Sequence, residues 1–190
     1  MLELLFPERC AVCSRPGSAL CEPCRDALVR LSPPVCERCG SPGPWPVRRC
    51  AECSGRRLAF ACARSAIVYD ERARTLVRAW KEQGRRRLAE EAAALVAEVI
   101  PPPDIEALAH VPGDPERAWE RGAVAPRGLG LAERRRNVRG SVTAAGAVPR
   151  LVCLVDDVYT SGATADACAS ALRRAGARRV EVVTLARAVR

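Results

Sequence analysis

The clearest pattern in the chain is at Leu151–Gly176, LVCLVDDVYTSGATADACASALRRAG. Five unbroken apolar residues, Leu151 to Val155, predict a strand buried on both faces. A polar stretch, Asp156 to Thr164, follows. Beyond it Ala165, Cys168, Ala171, Leu172 and Ala175 recur at helical spacing, and Gly176 is placed to stop that helix. Upstream, Ala63 to Tyr69 reads as a strand. Ala73 to Trp80 and Leu88 to Ile100 read as helices, the second with Leu88, Ala92, Leu95, Val96 and Val99 on one face. The prolines at 101–103 end it. Ala107 to Val111 reads as a short strand, and Arg179 to Leu185 as the last one. Strand and helix alternate, so the pattern predicts an α/β core built on a parallel sheet. Residues 112–150 break the pattern. They are rich in Arg, Gly and Pro and have no helical apolar face, where a parallel crossover would normally use a helix.

The first 57 residues follow a different rule. Eight of the 11 cysteines lie there, in four C-x-x-C pairs: Cys10/Cys13, Cys21/Cys24, Cys36/Cys39 and Cys50/Cys53. A two-residue spacer lets one tight turn aim both sulfurs at one ion, and two such turns complete a tetrahedral S₄ site suited to Zn²⁺. The pairing is sequential or cross-braced, since spacing allows both. Gly40, Pro42, Gly43 and Pro44 fit a hairpin loop between the third and fourth pairs. Four thiolates close each ion, so the reading is two structural zinc ions in a head of residues 1–57, with the α/β core over 58–190. Redox C-x-x-C chemistry would need a βαβ setting, which the head lacks.

Composition adds the setting. The start, MLELLFPERC, has neither the basic nor the apolar region of a signal peptide. No stretch approaches the ~20 apolar residues of a membrane span. The expectation is a cytoplasmic protein with reduced thiols. The net charge is +9, which suggests a polyanionic partner, although eight zinc-bound thiolates with two Zn²⁺ would lower it to about +5. Lys81 is the only lysine, so the positive charge is almost all arginine. Trp45, Trp80, Trp119 and four other aromatics are all that could stack on bases.

The polar stretch after the first-named strand carries the chemistry. A helix amino terminus offers unpaired N–H groups and a positive dipole end. Gly162 lets backbone approach an anion closely. Thr160, Ser161 and Thr164 add hydroxyls, so Val158, Tyr159, Thr160, Ser161, Gly162, Ala163 and Thr164 form a candidate phosphate cradle. Asp156 and Asp157 sit at the strand's carboxyl end, where open α/β sheets bind ligands, and suit neighbouring sugar hydroxyls. Neither a Walker loop nor a G-x-G-x-x-G loop is present. Lone His110 reads as structural, and Cys153 and Cys168 as core packing.

Val155 to Thr164, V-D-D-V-Y-T-S-G-A-T, resembles the phosphoribosyl-pyrophosphate (PRPP) motif of type I phosphoribosyltransferases. With the four C-x-x-C pairs in front, the chain resembles the ComF competence family. Leu5-Phe6-Pro7, the segment from Tyr69 through Trp80-Lys81 to Gly84, Val111-Pro112 and Arg121-Gly122 match as well, and Gly130 to Gly140 looks like the family's mobile loop. The resemblance implies a double zinc ribbon on a phosphoribosyltransferase-like core. It implies PRPP bound with Mg²⁺, Asp156 and Asp157 as catalytic acids, and Arg134 and Asn137 at the ligand. It also implies a link to DNA uptake in natural transformation. The family's helix and strand between the Arg-Gly pair and the mobile loop are missing, since Arg121-Gly122 passes to Gly128-Leu129 within a few residues. Two readings therefore stand. One is a phosphoribosyltransferase of the glycosyltransferase class. The other is a non-catalytic module that senses PRPP or a ribose 5-phosphate-type ligand and contacts single-stranded DNA or a competence protein.

Overall fold

The computed structural model describes residues 8–111 and 148–189. Four strands, β1 (Cys62–Val68), β2 (Ala107–His110), β3 (Leu151–Tyr159) and β4 (Arg179–Arg187), form one sheet in the order β1-β4-β3-β2. Every pairing is parallel, as the alternation of elements required. Among the described residues four helices accompany it: α1 (Glu22–Asp26), α2 (Glu71–Lys81), α3 (Leu88–Val99) and α4 (Ala163–Arg174). Among the described residues no helix is long and apolar enough to cross a membrane.

The elements follow from local rules. Helix α2 begins two residues before its first apolar position, because the Asp70 carboxylate accepts the Ala73 N–H at 2.9 Å, a side-chain N-cap. Leu76, Val77 and Ala79 bury its inner face. Leu88, Ala92 and Leu95 do the same for α3. Short α1 carries no buried residue and no hydrophobic period that could have announced it.

Alternating residues of the central strands feed two layers. Val152 and Leu154 of β3, with Val180 and Val182 of β4, join Ala165, Cys168 and Ala169 of α4. Cys153 of β3, with Val183 and Leu185 of β4, joins α2 and α3. Cys153 and Cys168 are core packing, as expected. The cysteine-rich head divides between these layers. Cys10, Leu20 and Leu28 pack into the layer of α2 and α3, whereas Cys36, Cys39, Cys53, Leu58 and Phe60 pack into that of α4. The outer edge of β1 is covered too, since Leu31 N–H bonds Ala66 O and Val68 N–H bonds Val29 O, each at 2.8 Å. An edge strand is thereby protected from foreign pairing.

One strand is longer than its sequence pattern. The apolar run stops at Val155, but β3 continues to Tyr159, with Asp156 opposite Thr184, Val158 opposite Ala186 and Tyr159 opposite Arg187. The reason lies in β4, which runs to Arg187 and offers pairing partners past the two acids. The aspartates thus belong to a strand rather than to a turn beyond it.

Candidate metal centres and phosphate site

Among the described residues two groups of four thiols converge: Cys10, Cys13, Cys21 and Cys24, and Cys36, Cys39, Cys50 and Cys53, with the sulfurs of each group within 4.8 Å of one another. The pairing is therefore sequential, and the cross-braced alternative is excluded. Sulfur separations of 3.6 Å for Cys13–Cys21, 3.6 Å for Cys36–Cys53 and 3.4 Å for Cys39–Cys50 can be compared with a tetrahedron. With Zn–S near 2.3 Å its edge is about 3.8 Å. Both clusters fit a structural zinc ion with four thiolates and no open position. Backbone amides point at the sulfurs as well. Cys10 accepts the Val12 and Cys21 N–H groups at 3.4 and 3.5 Å, and Cys36 accepts that of Cys50 at 3.3 Å. Burial raises the Cys10 thiol, but the amides of Cys21, Cys13 and Val12 outweigh it and bring the group down to about 6. Burial opposed by the Cys39, Arg38 and Cys50 amides brings Cys36 to about 7. Both settle toward the thiolate that binds metal.

Parallel strands end at one edge of the sheet, and there the chain turns from β3 into α4 through Thr160, Ser161 and Gly162. Gly162 has φ +69°, a left-handed conformation that a side chain disfavours. A Cβ there would also stand 2.5 Å from Tyr159 Cζ and closer still to its hydroxyl oxygen. Ser161 is turned inward, its Oγ accepting the Ala163 N–H at 3.3 Å. The next bonded amide is Asp166, to Gly162 O at 2.9 Å. This leaves the Thr164 and Ala165 amides without a partner among the described residues. A hollow of about 20 Å³ lies here, lined by Asp156, Tyr159, Thr160, Gly162, Thr164 and Thr184 among others. It has room for one water-sized group.

The two acids differ. Asp157 Oδ2 meets Lys81 Nζ at 2.6 Å, and Asp156 Oδ1 accepts the Asp157 N–H at 2.9 Å. Burial, then the adjacent Asp157 carboxyl, push Asp156 up to about 7. Burial also acts on Asp157, but the bond to Asp156 and the Lys81 ammonium prevail and hold it below the usual carboxylate range. His110 is exposed, its Nδ1 3.2 Å from Val111 O. Arg134, Asn137, Pro112 and the segment Gly130 to Gly140 lie outside the described residues.

Two side chains at the site carry no sequence signal. Asp166 Oδ1 accepts the Ala59 N–H at 2.6 Å and ties α4 to the chain leaving the head. Arg187, fully buried, donates to Cys39 O and to Glu52, each at 2.6 Å, and its guanidinium lies 4.5 Å from the centroid of the Tyr159 ring.

Residues 1–63 match the family described as a double zinc ribbon domain. No curated protein matches the chain, and no solved structure does.

Proposed function

We propose that this is a ComF-type protein whose α/β core binds PRPP, or a ribose 5-phosphate-type ligand, at the carboxyl edge of the sheet. The observation that carries the reading is the left-handed Gly162 between β3 and an α4 amino terminus whose Thr164 and Ala165 amides have no partner among the described residues. Such a terminus is a ready anion site. The fit to two zinc ions in the head agrees with the same family.

In this reading the 5-phosphate lies on the turn from Thr160 to Thr164, held by amides and by the Thr160 and Thr164 hydroxyls. Asp156 and Asp157 accept hydrogen bonds from the ribose hydroxyls. Their negative charge also stabilises the positive charge that builds on the sugar as pyrophosphate leaves. Mg²⁺, when bound, neutralises the leaving group. Lys81 holds Asp157 ionised and in place. Arg134 and Asn137 reach the ligand by resemblance. A link to DNA uptake and a cytoplasmic location belong to the same proposal.

Calorimetry with Mg²⁺–PRPP and with ribose 5-phosphate tests the site. Both should bind. Absence of binding by either refutes it. Pyrophosphate release with candidate acceptors then decides between transferase and sensor.

One observation favours a binding role alongside. A groove of about 560 Å³ opens at the far end of α4 from Gly162, lined by Arg38, Arg173, Arg174, Arg178 and Arg179 over Leu58 and Phe60. A groove lined by five arginines suits the phosphates of a single nucleic-acid strand. Trp45, 66% exposed, is open to stacking.

A further inference from the structure

Arg187 closes β4 and has no exposed surface. A buried guanidinium is tolerated only where it is paired and hydrogen-bonded, so its partners show what it holds. Nη1 donates to the Cys39 carbonyl and Nη2 to the Glu52 carboxylate, each at 2.6 Å, and Nη2 lies 3.8 Å from Cys39 Sγ. Cys39 is a ligand of the second metal cluster, and Glu52 stands beside two more, Cys50 and Cys53. The guanidinium also lies over the Tyr159 ring, 4.5 Å from its centroid. The other side of that contact is the phosphate turn, because the Tyr159 ring occupies the space beside the Gly162 Cα.

Tyr159 has few other restraints. Its hydroxyl is buried with no hydrogen-bond partner among the described residues. Its ring meets Phe60 edge-on, with centroids 6.3 Å apart. Only packing and the guanidinium fix it, and it lines the hollow in front of the α4 amino terminus. A ring released from Arg187 could turn into that hollow and cover the Thr164 and Ala165 amides. The first ribbon has no corresponding path. It joins the layer away from α4 through Cys10, Leu20 and Leu28, and its charged link there is Arg25, which pairs with Glu91 and Glu98 of α3 at 3.2 and 3.0 Å, beside the Arg30–Glu98 pair.

We propose that Arg187 is a positioning residue that couples the second zinc ribbon to the phosphate site. Anchored on Cys39 and Glu52, it holds Tyr159 against Gly162 and keeps the α4 amino terminus open to a sugar phosphate. Phosphate binding therefore depends on the second ribbon and is indifferent to the link made by the first. The proposal rests on the phosphate-site reading above.

The test uses the full zinc-loaded chain with 3-fluorotyrosine incorporated. The two tyrosines give two fluorine resonances, with Tyr159 assigned by Tyr69→Phe. Arg187→Gln, Glu52→Gln and Cys50→Ser are compared with Arg25→Gln, with zinc content and ribose 5-phosphate affinity measured for each. Glu52→Gln keeps the shape of the anchor should Arg187→Gln fold poorly. The expected result is a shifted or broadened Tyr159 resonance and at least a tenfold loss of affinity in the first three. Arg25→Gln should leave both within twofold of the parent. An unmoved Tyr159 resonance in folded Arg187→Gln or Glu52→Gln overturns the coupling. So does an Arg25→Gln loss as large as theirs. A moved resonance with unchanged affinity refutes the functional claim. If the parent binds no ribose 5-phosphate, the site reading and the functional claim both fall, and the resonance still decides whether Arg187 holds Tyr159.

Discussion

Replacing Gly162 with alanine adds one methyl group where two independent restrictions meet. The backbone sits at φ +69°, and an L residue in the left-handed region costs roughly 1–2 kcal/mol. The new Cβ would also stand 2.5 Å from Tyr159 Cζ, so either the ring or the turn must move. Moving the ring weakens its edge contact with Phe60, worth about 1 kcal/mol, and its contact with the Arg187 guanidinium, worth about 1–2 kcal/mol when desolvated. The expected loss is about 3–5 kcal/mol. For a chain of this size that lowers Tm by roughly 6–20 °C, at 2–4 °C per kcal/mol. Differential scanning calorimetry in zinc-containing buffer reads this directly, and elemental analysis confirms that both ions remain. Ribose 5-phosphate affinity should fall in the same variant, because the amides it needs are displaced. A Tm within about 2 °C of the parent would refute the steric argument. A large Tm loss with unchanged affinity would spare the packing and remove the phosphate loop.

Three other outcomes are expected. Cys36→Ser should leave one zinc ion per chain instead of two by elemental analysis, because it removes a nearly inaccessible ligand of one cluster and structural zinc is folding energy; both ions retained would contradict the ligand assignment. Asp156 titrates at about 7 in the folded chain against about 3.9 unfolded, so this group's effect on stability is a decline as pH rises across that window. Binding runs the other way: Mg²⁺–PRPP affinity should rise with pH up to about 7, by at most tenfold per unit, and Asp156→Asn should flatten that dependence in calorimetry; a parent affinity indifferent to pH between 5.5 and 7 would exclude Asp156 from the ligand. Asp70→Ala should cost about 1 kcal/mol by removing the α2 cap while leaving ligand binding intact, and a change below about 0.3 kcal/mol in urea melts would mean the cap is not used.

The parts of this fold that could be read in advance are those encoded locally. An unbroken apolar run announced β3, and helical spacing announced α2, α3 and α4. Four C-x-x-C pairs announced two S₄ sites without saying which pairs join, because a tight turn aims two sulfurs and says nothing of the second turn. The extent of β3 was hidden because Asp156 and Asp157 look like a strand's end. What prolongs the strand is the reach of β4, a partner some 28 positions downstream. Arg187 was hidden more completely. It is one arginine in a chain whose basic residues are almost all arginine, and its partners Cys39 and Glu52 lie 148 and 135 positions away. No local pattern encodes a contact of that span. The ligand contacts assigned by resemblance to Arg134 and Asn137 lie outside the described residues.

The packing gives the head a larger part than a zinc-stapled appendage would have. A sheet with helices on both faces must cover apolar positions on each. Among the described residues α4 covers one face, and α2 with α3 the other. The ribbons add apolar side chains to both layers. Leu20 and Leu28 of the first ribbon join one layer, and Leu58 and Phe60, just after the second, join the other. Burying such side chains contributes about 1.5–3 kcal/mol each, a large share of the 5–15 kcal/mol by which a domain is stable. The composition changes near residue 57, but the core is continuous across that point. Arg187 makes the same case in charge: without Cys39 and Glu52 its guanidinium would be buried with no hydrogen-bond acceptor, which costs about 3–5 kcal/mol. The second cysteine cluster, the end of β4 and the turn before α4 are thus parts of one packed unit.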